Sequence, residues 1–135
     1  MKGYVLDANA VLAYLESERG SHKVEQLLAE ASRQQLSLYI SVLNLAEVYY
    51  LTWRRAGEEN ARRAVAGVSR MPIQVVPVDL RQALLAGELK ARHNIPFVDC
   101  VAAALASIHL STLLTSDRDF EKLGRHFPIL WLPHA

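Results

Sequence analysis

Four acidic residues lie at positions where a carboxylate is unusual. Asp7 and Asp117 come directly after short apolar runs that read as strands, YVL and LLTS. Asp99 interrupts the apolar run PFVDCVAAALA, and Glu47 is the one charge in the stretch SVLNLAEVYYL. A buried carboxylate without a partner is costly and tends to take up a proton, so these positions need a physical explanation.

Each acid taken alone has a simple interpretation. Asp7 and Asp117 could cap the helices that follow them, which is a common use of aspartate. Asp99, in the first turn of its helix, could complement the helix dipole, an effect worth about 0.3–1 kcal/mol. Glu47 could belong to a solvated stripe of its helix that also includes Asn44 and Arg54. For one acid at a time, these interpretations compete well with a functional one.

The four acids taken together favour a metal site. If the fold gathers them, two carboxylates 4 Å apart repel by about 4 kcal/mol at an effective dielectric constant near 20. A hard divalent cation makes such a cluster tolerable, and ligands that are all oxygen suit Mg²⁺ or Mn²⁺ rather than zinc. Ala102, Ala103 and Ala106 share a helical face with Asp99, so that helix can lie close to a sheet and bring the carboxylate to its edge.

The elements that must position these acids alternate between strands and helices. Strands are predicted over 3–7, 36–41, 73–76, 111–116 and 129–132. Helices are predicted over 8–18, 21–34, 42–56, 58–70, 80–93, from Pro96 onward and over 119–124, with Ser21, Ser41 and Asp79 as caps. This alternation, with short and continuously apolar strands, indicates a parallel sheet covered by helices on both faces. Ligands of such sheets bind outside the carboxyl ends of the strands.

The composition of the 135-residue chain predicts one globular domain over residues 1–135, with 51% apolar and 21% charged residues. No apolar run reaches the roughly 18 residues of a membrane span, and the N-terminus lacks the apolar core of a signal peptide. The single cysteine, Cys100, excludes an internal disulfide. We therefore expect a cytoplasmic protein without a membrane partner. The net charge of +1 predicts no partner by itself.

The sequence resembles the PIN-domain ribonucleases and, among them, the VapC toxins of toxin–antitoxin pairs. The likeness covers essentially the whole chain and rests on YVLDANAVLAYL, SVLNLAEVYYL, PFVDCVAAALA and LLTSDRDFEKL, in that order. It implies a PIN-like three-layer α/β/α fold whose central parallel sheet has about five strands. It also implies hydrolysis of RNA phosphodiester bonds with Mg²⁺ or Mn²⁺, a homodimer, and inhibition by a cognate VapB-like antitoxin.

The resemblance also implies roles for individual residues. The catalytic metal ligands would be Asp7, Glu47, Asp99 and Asp117. Thr115 matches the hydroxyl that precedes the last acid, where it would orient a carboxylate or a water. Asn9 stands where the family often has Ser or Thr, and its amide can still hydrogen-bond a phosphate or a metal water. Asp119 is a further supporting acid, although capping of a short helix over 120–124 explains it more simply.

Basic residues are densest in the segment WRRAGEENARRAVAGVSR, after the Glu47 helix. With the four candidate ligands left aside, basic side chains outnumber acidic ones, which suits a protein that binds a polyanion. Arg54 and Arg55 are the candidate RNA contacts. We favour the simpler interpretation of this segment as solvated helix faces, paired in part with Glu58 and Glu59.

Apolar residues on the first two helices and the Glu47 helix exceed what a small core needs. They are Leu12, Tyr14, Leu15, Tyr49, Tyr50 and Trp53. Some could contact a second copy or an antitoxin, or all of them could belong to the core.

Two other functions fit some of these residues. A PIN-like scaffold could bind RNA or protein without catalysis, but loss of acids would signal it and all four are present. A phosphatase or dehalogenase of the haloacid type would use Asp7 as a covalent nucleophile. Those enzymes carry DxD after the first strand, whereas this chain has Asp7, Ala8 and Asn9 and no catalytic lysine motif.

Overall fold

A computed structural model describes residues 1–133 of the chain. Residues 134–135, which belong to the predicted domain, lie outside the described residues. The strands are β1 (Lys2–Leu6), β2 (Leu36–Ser41), β3 (Gln74–Val76), β4 (Thr112–Thr115) and β5 (Ile129–Trp131). The helices are α1 (Ala8–Leu15), α2 (Ser21–Ser32), α3 (Val42–Ala56), α4 (Glu58–Ser69), α5 (Leu80–Arg92) and α6 (Phe97–Ile108). A short 3₁₀ helix spans Arg118–Leu123.

The strands form one parallel sheet of five strands in the order β3-β2-β1-β4-β5, with helices on both faces. This confirms the predicted three-layer α/β/α fold. In the register, Leu6 lies opposite Leu114, and Thr115 lies opposite Trp131. The direction of strand succession reverses at β1, because β2 and β3 extend the sheet on one side while β4 and β5 extend it on the other. A crevice opens outside the carboxyl ends of strands at such a switch point.

Alternation along the central strands divides the core between the two faces of the sheet. Leu6 and Leu114 pack with residues of α1 and α2, whereas Val5 and Leu113 pack against α6. The α6 face is built from fully buried alanines, as predicted: Ala102, Ala103 and Ala106. Because these side chains are small, α6 lies close to the sheet, and its first turn reaches the carboxyl edge.

Side-chain caps fix where three of the six described α-helices begin. Ser41 accepts from a backbone N–H in the first turn of α3 and Asp79 does so for α5, which confirms both predicted caps. The prediction for Ser21 is wrong, because Gly20 takes the cap position with φ 93° and Ser21 is the first helical residue. Pro96 lies just before the first residue of α6, with extended ψ of 146°. In residues 1–133, no helix is both long and apolar enough to cross a bilayer.

Candidate metal centre

The fold places all four candidate acids close enough for their charges to interact, near the carboxyl ends of β1 and β4. Asp7 directly follows β1, and Asp117 follows the adjacent strand β4 by two residues. Glu47 comes from the first half of α3 and Asp99 from the first turn of α6, two helices that contact each other. The negative charges of Asp7, Glu47 and Asp117 all raise the pKa of Asp99, so the four carboxylates form one electrostatic unit.

Each carboxylate oxygen of Asp7 accepts one hydrogen bond. Its side chain is 3% exposed, and Oδ1 accepts a 2.9 Å hydrogen bond from the backbone N–H of Ala10, which caps α1. Oδ2 accepts a 2.5 Å hydrogen bond from the hydroxyl of Thr115. Burial raises the pKa of Asp7 to about 7, although both hydrogen bonds act in the opposite direction. Helix capping and membership of the acidic cluster are therefore compatible roles of one side chain.

The buried hydroxyl of Thr115 links two of the acids. It donates to Asp7 and accepts a 2.9 Å hydrogen bond from the backbone N–H of Asp117. The Oδ1 atom of Asp117 in turn accepts a 2.9 Å hydrogen bond from the backbone N–H of Asp119. This chain of contacts sets the position of Asp7 relative to Asp117, although they are far apart in sequence.

Asp99 is the least compensated acid of the cluster. The residue is 6% exposed, and its buried Oδ2 atom has no hydrogen-bond partner in the described part of the chain. Burial, followed by the charges of the neighbouring acids, raises its pKa to about 8. A buried carboxylate oxygen without a partner is costly unless a cation or another donor faces it.

Asp119 lies closer to the cluster than the sequence indicated. Carboxylate oxygens of Asp99, Asp117 and Asp119 all lie within 4.8 Å of one another. The predicted capping of a helix over 120–124 by Asp119 is wrong, because the 3₁₀ helix begins at Arg118 and Asp117 caps it. The earlier start of the helix places Asp119 inside its first turn, on the side of the acids.

Sequence reasoning missed Asn44 as part of the site. Asn44 is fully buried, so it does not belong to a solvated stripe with Glu47. Burial raises the pKa of Glu47, and a hydrogen bond from the Asn44 side chain opposes that rise. The Asn44 amide also lies 3.5 Å from the carbonyl of Val98, next to Asp99. The sequence did contain a signal for this role: Asn44 comes three residues before Glu47 in an otherwise apolar helix segment.

A polar cavity of about 400 Å³ opens beside Asp117. Its lining residues are Asn9, Leu12, Glu16, Glu18, Arg55, Ser116 and Asp117. Asn9 and Arg55 therefore share a cavity with one of the acids, and Arg55 forms an ion pair with Glu16 in its wall. Arg54 is not part of that wall, and its guanidinium lies 5.3 Å from the ring centroid of Tyr50.

Two further arginines of the basic segment are paired on the surface of α4. Arg62 lies 3.1 Å from Glu58, and Arg63 lies 2.8 Å from Glu59, each one helical turn away. The predicted pairing with these glutamates is confirmed. Exposed pairs of this kind are worth less than about 1 kcal/mol each, so the positive field of α4 is largely local.

The chemistry of the donors fits a hard divalent cation. Every candidate ligand atom is a carboxylate oxygen, and buried Asp99 offers an oxygen that no described residue engages. Mg²⁺ and Mn²⁺ take such oxygen ligands, whereas zinc sites are built mainly with nitrogen and sulfur. Asp99, Asp117 and Asp119 are the acids close enough together in the described residues to hold one cation, whereas Asp7 and Glu47, the other predicted ligands, lie outside this group of three.

Comparison with known proteins gives the family and the fold of the chain. A family model described as PIN domain matches residues 4–126. VapBC2 from Rickettsia felis, bound to a promoter DNA fragment, is similar with a TM-score of 0.77 and 18% identity over 96% of this chain and 98% of that chain. VapC20 from Mycobacterium tuberculosis, a toxin that cleaves the sarcin–ricin loop, is similar with a TM-score of 0.73. It is 22% identical over 90% of this chain and 95% of that chain. DNA-bound VapBC from Salmonella typhimurium is similar with a TM-score of 0.74 and 22% identity, over 96% of this chain and 98% of that chain. A comparison with curated protein sequences gives no match.

The raised pKa values predict how the stability of the metal-free protein depends on pH. Asp7 and Asp99 bind protons more tightly in the folded state, with pKa about 7 and about 8 against an ordinary 3.8. Between about pH 4 and pH 8 the folded protein therefore holds more protons than the unfolded chain, and its stability falls as the pH rises. We expect the melting temperature in EDTA to drop by roughly 5–10 °C from pH 5 to pH 8.

Added Mg²⁺ or Mn²⁺ should restore more stability at pH 8 than at pH 5, because protons compete with the cation for the carboxylates. The control is Asp99→Asn, in which the loss of stability in EDTA should be smaller. A melting temperature that is independent of pH and of metal would contradict the assigned site.

The Thr115 hydroxyl gives a second prediction. Thr115→Val keeps the side-chain shape but removes the donor to Asp7 and the acceptor for Asp117, so we expect Mn²⁺ affinity to fall about tenfold or more. Calorimetric titration of Mn²⁺ measures this loss. Thr115→Ser keeps the hydroxyl and should bind Mn²⁺ with nearly the original affinity. Equal affinities of Thr115→Val and the wild-type protein would show that the hydroxyl does not order the site.

Proposed function

The chain belongs to the PIN domain family, and on this basis we propose that it is a metal-dependent endoribonuclease, a VapC-type toxin held inactive by a VapB-like antitoxin. The acidic cluster at the switch-point crevice carries the proposal, because a scaffold without catalysis has no need of several carboxylates in mutual repulsion. Toxins and toxin–antitoxin complexes among the similar solved structures support the same assignment.

The catalytic roles follow from the contacts in the crevice. When bound, Mg²⁺ or Mn²⁺ supplies a water of lowered pKa and neutralises negative charge that develops on the phosphate. Asp99, Asp117 and Asp119, whose carboxylate oxygens lie within 4.8 Å of one another, would hold the cation, with Asp7 and Glu47 as further ligands. The hydroxyl of Thr115 donates to the Asp7 carboxylate and so orients it.

Positive and amide groups beside the acids provide contacts for the RNA backbone. Asn9 and Arg55 line the polar cavity that ends at Asp117, so they can contact a phosphate next to the bond that is cut. Binding of RNA there has to displace Glu16 from Arg55. Arg54, which lies against Tyr50 instead, contributes a more distant positive charge. A cytoplasmic location is part of this proposal, since the RNA substrate is found there.

The antitoxin is proposed to occupy the apolar groove between α1, α3 and α4. A cavity of about 420 Å³ lies there, and its apolar lining residues are Leu12, Leu15, Ala56 and Ala64. Arg55 and Glu16 line this groove as well as the polar cavity of the site. A partner segment bound in the groove therefore comes within reach of the acids, so it can inhibit the site by direct contact.

Homodimer formation is proposed at the starts of α3, α5 and α6. Leu80 and Leu84 are 73% and 66% exposed and lie one turn apart on α5. Other exposed apolar side chains at these helix starts are Val42, Leu43 and Phe97. Exposed apolar side chains of this kind are typical of interaction sites, and we propose that a second copy covers Leu80 and Leu84 of α5.

Cleavage of RNA tests the enzymatic assignment. Purified protein is incubated separately with transfer RNA, ribosomal RNA and a transcribed messenger RNA, with Mg²⁺, Mn²⁺ or EDTA. We expect cleavage of one of these RNA classes with either metal and none in EDTA. Asp7→Asn should lower the cleavage rate at least about a hundredfold while RNA binding persists, because a metal ligand is lost but the basic contacts are kept.

The matched control is Glu58→Gln, which removes an exposed carboxylate of α4 that pairs only with Arg62. It should cleave at the wild-type rate, and co-purified antitoxin should suppress cleavage by both proteins. Full activity of Asp7→Asn would rule out the assigned site. RNA binding by the wild-type protein without cleavage in any metal would favour the scaffold alternative.

The mass in solution tests the proposed dimer. Leu84→Asp places a charge in the apolar surface of α5, and we expect it to convert the dimer to a monomer because the charge would be desolvated in the interface. Leu110→Asp is the control, since Leu110 is 94% exposed and follows α6 at the opposite edge of the sheet. Light scattering after size exclusion measures both variants. A wild-type monomer, or a Leu84→Asp dimer, would contradict this interface.

A further inference from the structure

An arginine and a tryptophan stack at the edge of the acidic crevice. The guanidinium carbon of Arg118 lies 4.3 Å from the centroid of the Trp131 ring. Arg118 is exposed and directly follows the acid Asp117, whereas Trp131 is half-buried at the end of β5. Within residues 1–133 no carboxylate lies within ion-pair distance of Arg118. Its charge is therefore available to an anionic ligand.

The register of the sheet fixes how far this stack lies from the acids. Trp131 pairs with Thr115 between the parallel strands β5 and β4. In-register residues of neighbouring parallel strands point to the same face, and the strands lie about 4.8 Å apart. Since the Thr115 hydroxyl contacts Asp7, the tryptophan lies on the same face as the cluster and only one strand farther along the sheet.

A cavity of about 340 Å³ continues from Trp131 along the edge of the sheet. Its lining residues are Glu121, Gly124, Arg125, Phe127, Ile129 and Trp131. Two aromatic side chains and an arginine thus contribute to a wall at β5, which is the last strand of the described sheet. The volume is large enough for one flat heterocycle and too small for a folded protein segment.

We propose that the Arg118–Trp131 stack and this adjoining cavity bind one nucleobase of the single-stranded RNA, next to the bond that the acidic cluster cuts. The inference rests on the proposed ribonuclease function and adds a base-binding site to it. Every nucleobase has a π face that stacks on an aromatic ring or on a guanidinium plane, and Arg118 and Arg125 also attract the phosphates. Glu121, the one acid in the wall, offers a hydrogen-bond acceptor to an exocyclic amino group of the base.

Tryptophan fluorescence tests the stacking directly. The chain has two tryptophans, so Trp53→Phe leaves Trp131 as the only one, and Asp7→Asn prevents cleavage during the titration. We expect a short single-stranded oligoribonucleotide of mixed sequence to quench the emission of this double variant. The same strand with abasic sites, which keeps the phosphates but lacks bases, should bind without quenching. Equal emission with both strands would overturn the proposal.

Cleavage kinetics test the contribution of the stack to the reaction. In the otherwise wild-type protein, Trp131→Leu keeps an apolar side chain and should raise KM for RNA about tenfold, because stacking on one base is lost. Mn²⁺ affinity should not change, which separates loss of base binding from damage to the acidic cluster. Trp53→Leu, on α3, is the matched control and should keep the wild-type KM. Arg118→Lys, which keeps the charge but loses the planar group, should raise KM more than Arg125→Lys.

The outcomes separate this proposal from the function on which it rests. If the wild-type protein cleaves RNA and Trp131→Leu has an unchanged KM, the base site is wrong and the ribonuclease assignment stands. If the wild-type protein cleaves no RNA, the proposed function fails, and the fluorescence titration alone decides whether Trp131 binds a base.

Discussion

Mutual repulsion of carboxylates in a buried crevice is the constraint around which this structure is arranged. Asp7 and Asp99 are almost completely buried, and burial together with neighbouring negative charge raises the pKa of each. Such an arrangement opposes folding and persists only where the rest of the fold holds it in place. Two features hold the acids in place. The alanines of α6 let that helix lie close to the sheet, and the hydroxyl of Thr115 joins two of the acids.

The contacts that position the acidic cluster come partly from strands and partly from helices. Asp7 and Asp117 follow adjacent central strands, so their separation is set by sheet geometry and one shared hydroxyl. Glu47 and Asp99 come from helices, and the Asn44 amide near the Val98 carbonyl joins those helices beside the acids. The strands thus fix one half of the site, and helix packing fixes the other.

Much of this arrangement could be predicted from the sequence because its signals are local. Continuous apolar strands separated by amphipathic helices specify the parallel sheet, and a carboxylate within an apolar helix, such as Asp99, is visible without a structure. The remainder depends on contacts between distant segments. The role of Asn44 requires knowledge that α3 meets α6, and the distinction between Arg54 and Arg55 requires the rotation of α3 against α1. The place of Asp119 depends on a 3₁₀ helix that begins at Arg118, so that Asp119 lies in its first turn and does not cap it.

The double use of the Asp7 carboxylate has an evolutionary consequence. One of its oxygens caps α1, and asparagine offers an equivalent carbonyl oxygen for the same bond. A codon change of one base turns aspartate into asparagine. A descendant of this chain can therefore lose one carboxylate of the acidic cluster in one mutational step and keep its folded shape and its surfaces. The cap of α1 therefore does not by itself require an acid at position 7, so the carboxylate there has to be explained by the cluster.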